Sequence, residues 1–115
     1  ILKGPLVGEF DAAYAIDVIE HISKENENRF VSNITDSLDK NGVLIIGTPT
    51  IQSQKYATEI SKEGHVNCMD HQQLRDLMSR FFEHVFIFSM NDEVIHTGYY
   101  KMAHYLFALC CSQKG

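Results

Sequence analysis

The residues best suited to chemistry directly follow an apolar segment. Asp17, Glu20 and His21 come after residues 12–16, a short apolar run typical of a buried strand. In open α/β sheets, ligands bind in the crevice beyond the carboxyl ends of the strands. A carboxylate there can hold a ligand amine, and Glu20 or His21 can act as a general base when burial tunes its pKa. In the alternative interpretation, Glu20 and His21 occupy the first turn of the next segment and face solvent.

A second group has the spacing H-x-x-C-x-x-H and consists of His65, Cys68 and His71. This spacing suggests a metal, but structural zinc sites generally use four Cys or His ligands in paired groups. Only three are present, and they span a predicted helix start at Asp70. The prediction is therefore no metal, with ordinary capping and hydrogen-bonding roles. No family signature surrounds Cys68 to support a nucleophile.

The loop at residues 90–102 is rich in hydrogen-bonding side chains. They are Asn91, Asp92, Glu93, His96, Thr97, Tyr99 and Tyr100. Polar loops on a rigid scaffold often carry binding residues. This loop is interpreted either as a wall of a substrate site or as a solvated connection between strands.

Two apolar runs predict the strands that position these groups. Residues 10–16 are small and apolar, which predicts a strand buried on both faces, as in parallel sheets. Residues 43–47 read VLIIG and predict a central strand. Thr48 and Pro49 should end it, because proline has no N–H for the ladder.

Between these strands the pattern predicts a helix. Ser23 is a suitable N-cap for a helix through Lys40, and its apolar stripe consists of Phe30, Val31, Ile34 and Leu38. Asn41 and Gly42 should end the helix, because glycine adopts the left-handed conformation at low cost. After the second strand, a short helix is expected at residues 56–60 within a long polar segment.

The remaining elements follow a capping signal at Asp70 and Gln73, which predicts the start of another helix. Strands are then predicted at residues 85–88 and 105–110. Helices separate the first three strands, so these should be parallel with right-handed crossovers, and the fourth should be antiparallel. The loops after the three parallel strands should meet at one edge of the sheet, which is the candidate site.

Composition limits the function classes. A chain of 115 residues is one domain, and its formal net charge of −5 with scattered basic residues argues against nucleic acid. No apolar run approaches the roughly 20 residues that span a bilayer, and no secretory signal is visible, so no membrane partner is expected. Three cysteines, two of them adjacent, favour a reducing, cytoplasmic location.

Four runs of the sequence form a recognisable combination: FDAAYAIDVIEHI, LDKNGVLIIGTP, GHVN at residues 64–67 and FFEHV at residues 81–85. With these motifs the chain resembles the second half of a class I S-adenosylmethionine-dependent methyltransferase. Within this family, the chain is similar to the small-molecule branch that includes the ubiquinone-biosynthesis O-methyltransferases.

This resemblance implies a partial Rossmann-like sheet of order 3-2-1-4-5-7-6, of which this chain supplies strands 4 to 7. The expected fold is α/β, with three parallel strands, one antiparallel C-terminal strand and flanking helices. Residues 1–115 would form the C-terminal portion of the domain, with the glycine-rich cofactor loop upstream of Ile1. The fragment alone should therefore bind S-adenosylmethionine weakly or not at all and be inactive.

The resemblance also implies roles for individual residues. The cofactor would contact Ile1, Leu2, Ala15, Ile16 and Asp17. Glu20 and His21 match the family's EH pair beside the transfer point, and His21 or His65 would be the base. A small-molecule acceptor would contact Thr48, Pro49, Asn67, Asn91, Asp92, His96 and Tyr99.

Two other functions are consistent with the sequence. One is a non-catalytic binding or assembly module that pairs through the exposed edge of the strand at residues 10–16, either as a homodimer or with the missing N-terminal half. The other is half of a nucleotide-dependent oxidoreductase. The absence of G-x-G-x-x-G makes the oxidoreductase the more distant alternative.

Overall fold

The computed structural model describes residues 1–92, 94–97 and 100–115. Its strands are β1 (Phe10–Ile16), β2 (Leu38–Pro49), β3 (Phe82–Asn91), β4 (Val94–His96) and β5 (Tyr105–Gln113). Its α-helices are α1 (Glu27–Ser37), α2 (Glu59–Gly64) and α3 (His71–Ser79). Short 3-10 helices cover Ile19–His21, Lys24–Asn26, Ile51–Tyr56 and Tyr100–Met102.

The five strands form one mixed sheet in the order β1-β2-β5-β3-β4. β1 pairs with β2 in parallel, whereas β5 is antiparallel to both β2 and β3. β1, β2 and β3 therefore run in one direction, but β5 separates the last two. The α/β class is confirmed. The sequence did not predict β4, and the sheet is mixed: among the described residues, β1 with β2 is the one strand pair that is hydrogen-bonded in parallel.

The core lies between one face of the sheet and the helices α1 and α3. The predicted α1 stripe is buried, as shown by Phe30, Val31 and Ile34, and it packs with alternate residues of the central strands such as Leu44 and Leu106. Two right-handed crossovers in the same direction place both helices on this face.

The other face of the sheet carries a row of partly exposed apolar side chains. Register pairs place Tyr14 beside Ile45, Ile45 beside Leu109, and Leu109 beside Phe86. Tyr14 is 79% exposed. The prediction that β1 is buried on both faces is therefore wrong, because β1 is an edge strand and the helices cover only one face.

The predicted end of the first helix is also wrong. α1 ends at Ser37, and β2 begins directly at Leu38, whose side chain enters the core. Asn41 and Gly42 lie inside β2, where the pairing with β1 shifts register. A Cβ on Gly42 would lie 2.9 Å from the Asp39 carbonyl oxygen. Glycine therefore permits a close backbone approach here, and it does not end a helix.

The capping signal is confirmed at α3, where Asp70 and Gln73 form both hydrogen bonds of a capping box. The helix expected at residues 56–60 is wrong, because the 3-10 helix ends at Tyr56 and α2 begins at Glu59. Thr58 caps α2 by accepting a hydrogen bond from the backbone N–H of Ser61. In the described part of the chain, no helix combines the length and apolarity needed to cross a bilayer.

Candidate active site

The carboxyl ends of β1 and β2 meet the start of β5 at one edge of the sheet. Asp17 follows β1 with a φ of 60°, a conformation that aspartate tolerates better than most residues. Its backbone N–H donates to the Gly47 carbonyl oxygen at 3.0 Å, which continues the pairing with β2. The turn then directs Glu20 and His21 back over the end of the sheet.

Tyr105, the first residue of β5, reaches across β2 to this turn. Its hydroxyl donates to Asp17 Oδ1 at 2.7 Å. Burial and this bond to Asp17 raise the pKa of the Tyr105 phenol well above its usual range, so the phenol remains a donor at neutral pH. The bond closes one side of the candidate site.

Gly47 makes room for that tyrosine. A Cβ at this position would lie 2.9 Å from the Tyr105 hydroxyl and 2.8 Å from Ile16 Cδ1. We expect Gly47→Ala to reduce the free energy of unfolding by about 1 to 3 kcal/mol, because the Tyr105 ring must move away from Asp17. Urea unfolding measures the loss. Because Tyr105→Phe removes the hydroxyl, Gly47→Ala should cost less in that background, and an equal cost would contradict the explanation.

Glu20 is the buried acid of the site. It is 1% exposed. Its Oε1 accepts a hydrogen bond from the Thr48 hydroxyl at 3.2 Å, and its backbone carbonyl accepts one from Asn67 N–H at 3.0 Å. Its Oε2 lies 3.8 Å from His21 Nε2. The solvent-facing alternative is therefore wrong for Glu20, whereas the His21 side chain is 47% exposed.

Hydrogen bonds orient both predicted histidines. His21 Nδ1 lies 2.7 Å from the Gly64 carbonyl oxygen, and His65 Nδ1 lies 2.8 Å from the side-chain carbonyl oxygen Oε1 of Gln54. Because carbonyl oxygens only accept hydrogen bonds, each Nδ1 carries the hydrogen. Each Nε2 therefore has the lone pair when the ring is neutral. The two rings meet edge to face with centroids 5.0 Å apart.

A cavity of about 520 Å³ opens beside His65. Its lining residues are Pro49, Ser53, Gln54, Tyr56, Ala57, Ser61, His65 and His104. Its volume is in the range of small-molecule sites, and its walls combine an aromatic ring with hydroxyl, amide and imidazole groups. Of the cluster Glu20, His21 and His65, His65 lines this space, which can hold a small polar molecule.

The structure brings only some of the predicted acceptor residues to this cavity. Pro49 lines the cavity. Thr48 does not line it; its buried hydroxyl donates a hydrogen bond to Glu20 Oε1. Asn67 is buried and donates from its amide to Glu27 Oε2 at 2.8 Å, so its side chain braces the segment that carries His65.

The loop after β3 contributes little to this cavity. The Asn91 side chain accepts a hydrogen bond from the His104 backbone N–H at 3.0 Å. Asp92 is exposed at the turn between β3 and β4, with a φ of 53°, and His96 lies on β4. None of these three lines the cavity. The predicted contact Tyr99 lies outside the described residues.

The cysteine and histidines of the H-x-x-C-x-x-H run do not converge on one site within the described residues. His71 stacks on Tyr100 with ring centroids 4.3 Å apart, and burial followed by the Arg75 charge lowers its pKa. Burial, with a smaller contribution from the Glu20 carboxylate, raises the pKa of the Cys68 thiol to about 11. Cys68 is therefore a neutral thiol at pH 7, which argues against a nucleophilic role.

The predicted cofactor residues lie along the other side of β1. Ile1, Ala15 and Ile16 line an apolar groove of about 480 Å³ between the free edge of β1 and α1. Leu2 packs against the core. Asp17 does not line the groove, and its carboxylate accepts the Tyr105 hydroxyl hydrogen.

Sequence reasoning missed two residues that organise the site, Gln54 and Tyr105. Gln54 lies in a polar stretch that gives no signal for contact with His65. Tyr105 could have been found, because an antiparallel strand begins at the edge where its parallel neighbours end, and its first residue therefore faces the site.

Comparison with solved structures assigns the architecture. A crystal structure from Thermotoga maritima, described as a SAM-dependent methyltransferase and possible histamine N-methyltransferase, matches with a TM-score of 0.69 at 18% sequence identity. The match covers 89% of this chain and 55% of that one. The chain shares its fold with part of a methyltransferase. No family model matches it, and no curated protein does.

The observed strand order agrees with the order that the motif resemblance implied. Counting β1, β2, β3 and β5 as strands 4, 5, 6 and 7, the order β1-β2-β5-β3 reproduces 4-5-7-6, with β5 antiparallel. At 18% identity the likeness concerns the fold alone. The narrower likeness to ubiquinone-biosynthesis enzymes stays a prediction.

Proposed function

We propose that the chain takes part in methyl transfer from S-adenosylmethionine to a small-molecule acceptor, as the acceptor-side portion of a methyltransferase domain. The observation that carries the proposal is the cluster of Glu20, His21 and His65 beside a 520 Å³ cavity. The cluster lies at the carboxyl edge of β1 and β2, in a fold shared with a methyltransferase. That edge is where open α/β sheets bind ligands.

The residues on β1 fit one wall of a cofactor site. Ile1, Ala15 and Ile16 supply apolar surface along the groove. Asp17 directly follows Ile16, and its carboxylate accepts the Tyr105 hydroxyl hydrogen. S-adenosylmethionine, when bound, supplies an electrophilic methyl group on a sulfonium. A wall of this kind contacts one side of the ligand, and additional polypeptide would cover the other side. This is consistent with the chain spanning 55% of its structural neighbour.

The cavity residues would orient the acceptor and remove its proton. Pro49 and Tyr56 bound the space, and hydroxyl groups on Ser53 and Ser61 can accept or donate hydrogen bonds. His65 borders the cavity with Nδ1 already donating, so its Nε2 is the atom able to take a proton from an acceptor hydroxyl or ammonium. Holding the acceptor in one orientation supplies the rest of the rate enhancement.

Calorimetry and a methyl-transfer assay test the proposal. The chain alone should show weak or no binding of S-adenosylmethionine, because it supplies one wall only; a micromolar dissociation constant would contradict the half-domain proposal. With radiolabelled cofactor, transfer should appear when the chain is extended by any residues encoded upstream of Ile1. The acceptors tested in this assay should include dihydroxybenzoates and histamine, the latter suggested by the name of the structural neighbour.

Variants separate the roles in that assay. His65→Gln should lower kcat at least tenfold, since it removes the proton acceptor at the cavity. His84→Gln changes an exposed histidine at the start of β3 and should leave kcat unchanged. Absence of transfer by the extended chain to any acceptor tested would contradict the methyltransferase proposal.

A second function, assembly through β1, is favoured by its free edge and the uncovered apolar row that contains Tyr14. Unpaired edge strands can pair with another chain. Light scattering of the concentrated chain should then detect a dimer, and Tyr14→Lys should convert it to a monomer. A monomer of the unaltered chain at high concentration would contradict homodimer formation.

A further inference from the structure

We propose that Glu20, His21 and His65 bind a divalent metal ion of the zinc class at the border of the cavity. Each of the three side chains offers a ligand atom, and these atoms lie within 4.8 Å of one another. Among the described residues, this is the group of histidine, cysteine and carboxylate side chains that converges in this way. Metal binding is independent of the proposed methyl transfer, and only its catalytic consequence rests on that function.

The two histidines are oriented as metal ligands usually are. A ligating histidine generally donates its other ring N–H to a carbonyl or carboxylate, which fixes the tautomer. His21 donates to the Gly64 carbonyl oxygen, and His65 donates to the amide oxygen of Gln54. Nε2 of each ring is left as the ligand atom.

Glu20 supplies a carboxylate whose second oxygen lies toward His21. Oε1 accepts the Thr48 hydroxyl hydrogen, whereas Oε2 lies 3.8 Å from His21 Nε2. A carboxylate that is 1% exposed is costly without a positive partner. A divalent cation between Oε2 and the imidazoles supplies that charge.

The spacing suits zinc after a small adjustment. With bonds of 2.0–2.1 Å, tetrahedral ligand atoms lie about 3.3 Å apart. The distance between Glu20 Oε2 and His21 Nε2 exceeds this by about half an ångström. The other ligand atoms lie up to 4.8 Å apart, so binding would draw the side chains together by up to about 1.5 Å. Two imidazoles and one carboxylate form a ligand set that catalytic zinc sites use, with a further position left open.

Backbone contacts hold the two ligand-bearing segments together. Asn67 N–H donates to the Glu20 carbonyl oxygen at 3.0 Å, linking the segment after β1 to the segment that carries His65. A Cβ on Gly64 would lie 3.3 Å from the His21 ring, so glycine allows that ring to rest against the chain. The ligands are therefore positioned without the ion.

The open position would face the cavity beside His65. An ion there would bind an acceptor oxygen or nitrogen directly and lower the pKa of a bound hydroxyl, as metal ions do for bound water. In the metal-loaded protein His65 would act as a ligand, and this lowering of the acceptor pKa would replace the base role proposed above for its Nε2. This set differs from His65, Cys68 and His71, from which the sequence predicted no metal.

The test is calorimetric titration of the metal-stripped chain with zinc chloride, together with the visible spectrum of the Co²⁺-loaded chain. We expect one saturable site per chain and a Co²⁺ spectrum of low-symmetry nitrogen and oxygen ligation. Glu20→Gln and His65→Ala should each weaken Zn²⁺ binding at least 100-fold. Gln54→Leu keeps all three ligands and should weaken it roughly 10- to 100-fold, because His65 loses its orientation.

Matched controls are His71→Ala and Cys68→Ala, which change the other two members of the H-x-x-C-x-x-H run. Both should bind Zn²⁺ as the unaltered chain does. Circular dichroism reports whether each variant folds, and Gln54→Leu decides the question if a ligand variant unfolds. The proposal is overturned if no saturable site appears, if Glu20→Gln and His65→Ala bind normally, or if affinity follows Cys68 instead. Saturable binding without methyl transfer by the extended chain would uphold the metal site and contradict the proposed function.

Discussion

An Asn67→Ala variant is expected to lose about 2 to 4 kcal/mol of unfolding free energy, a large effect for a single polar side chain. The Asn67 amide donates to Glu27 Oε2 at 2.8 Å, and both residues are nearly inaccessible, at 5% and 6% exposure. Removing the amide leaves the Glu27 carboxylate buried without this donor. A buried charged acceptor that loses its partner costs more than a neutral one.

Two further variants separate this explanation from a general loss of packing. Adding Glu27→Gln to Asn67→Ala removes the stranded charge and should recover part of the loss. Asn28→Ala changes an exposed asparagine one residue from Glu27 that accepts an exposed hydrogen bond from Arg80 at 2.9 Å, and should lower the free energy of unfolding by about 1 kcal/mol or less. Urea unfolding followed by circular dichroism measures all four chains. An Asn67→Ala variant as stable as Asn28→Ala would contradict the expectation.

Asn67 also matters for the metal proposal. Asn67 lies two residues after His65, and its backbone N–H donates a hydrogen bond to the Glu20 carbonyl oxygen. Asn67→Ala keeps that backbone donor but loosens the segment, so Zn²⁺ affinity should fall less than in Glu20→Gln. The sequence assigned Asn67 to the acceptor site, whereas the structure gives its side chain a bracing contact with α1.

Replacing Leu44 with alanine should lower the free energy of unfolding by about 3 kcal/mol. Leu44 is fully buried on β2, between Ala13 on β1 and Cys110 on β5. The truncation removes apolar surface from the core and leaves a cavity among side chains that are held by the sheet and by α1. Because neighbouring strands cannot close around the gap, little of the loss should be recovered.

Ile45→Ala is the matched control for Leu44→Ala. Ile45 is the next residue on the same strand, but it faces the uncovered side of the sheet and is 37% exposed. Its truncation should cost about 1 kcal/mol. Thermal unfolding compares the two variants directly. Equal losses would show that the face opposite the helices is covered in solution, which would support assembly through that face.

The sequence by itself determined the elements that local interactions stabilise. The capping box at α3 joins residues three positions apart, so its side chains can be recognised without the rest of the fold. β1 begins and ends where the apolar run does, and the α1 stripe faces the core as its helical spacing requires. The candidate edge followed from the chain order, because parallel strands bring their carboxyl ends together.

Only the tertiary structure decided where helices end and how the strands are ordered. α1 stops at Ser37 because Leu38 is needed in the core, and this long-range burial outweighs the local stop signal at Asn41 and Gly42. β5 lies between β2 and β3 through backbone pairing that leaves no pattern in the side chains. The exposure of β1 likewise depends on which face the two crossovers cover.

The chemistry of the site depends on contacts between residues far apart in sequence. His21 meets the Gly64 carbonyl over a separation of 43 residues, and Tyr105 meets Asp17 over 88. Residue types and local spacing identified Glu20 and His21 as reactive groups, and the family resemblance added His65. Only the folded chain placed them within ligand distance of one another, because the turn at Asp17 and the segment after α2 converge through tertiary hydrogen bonds that no local periodicity encodes.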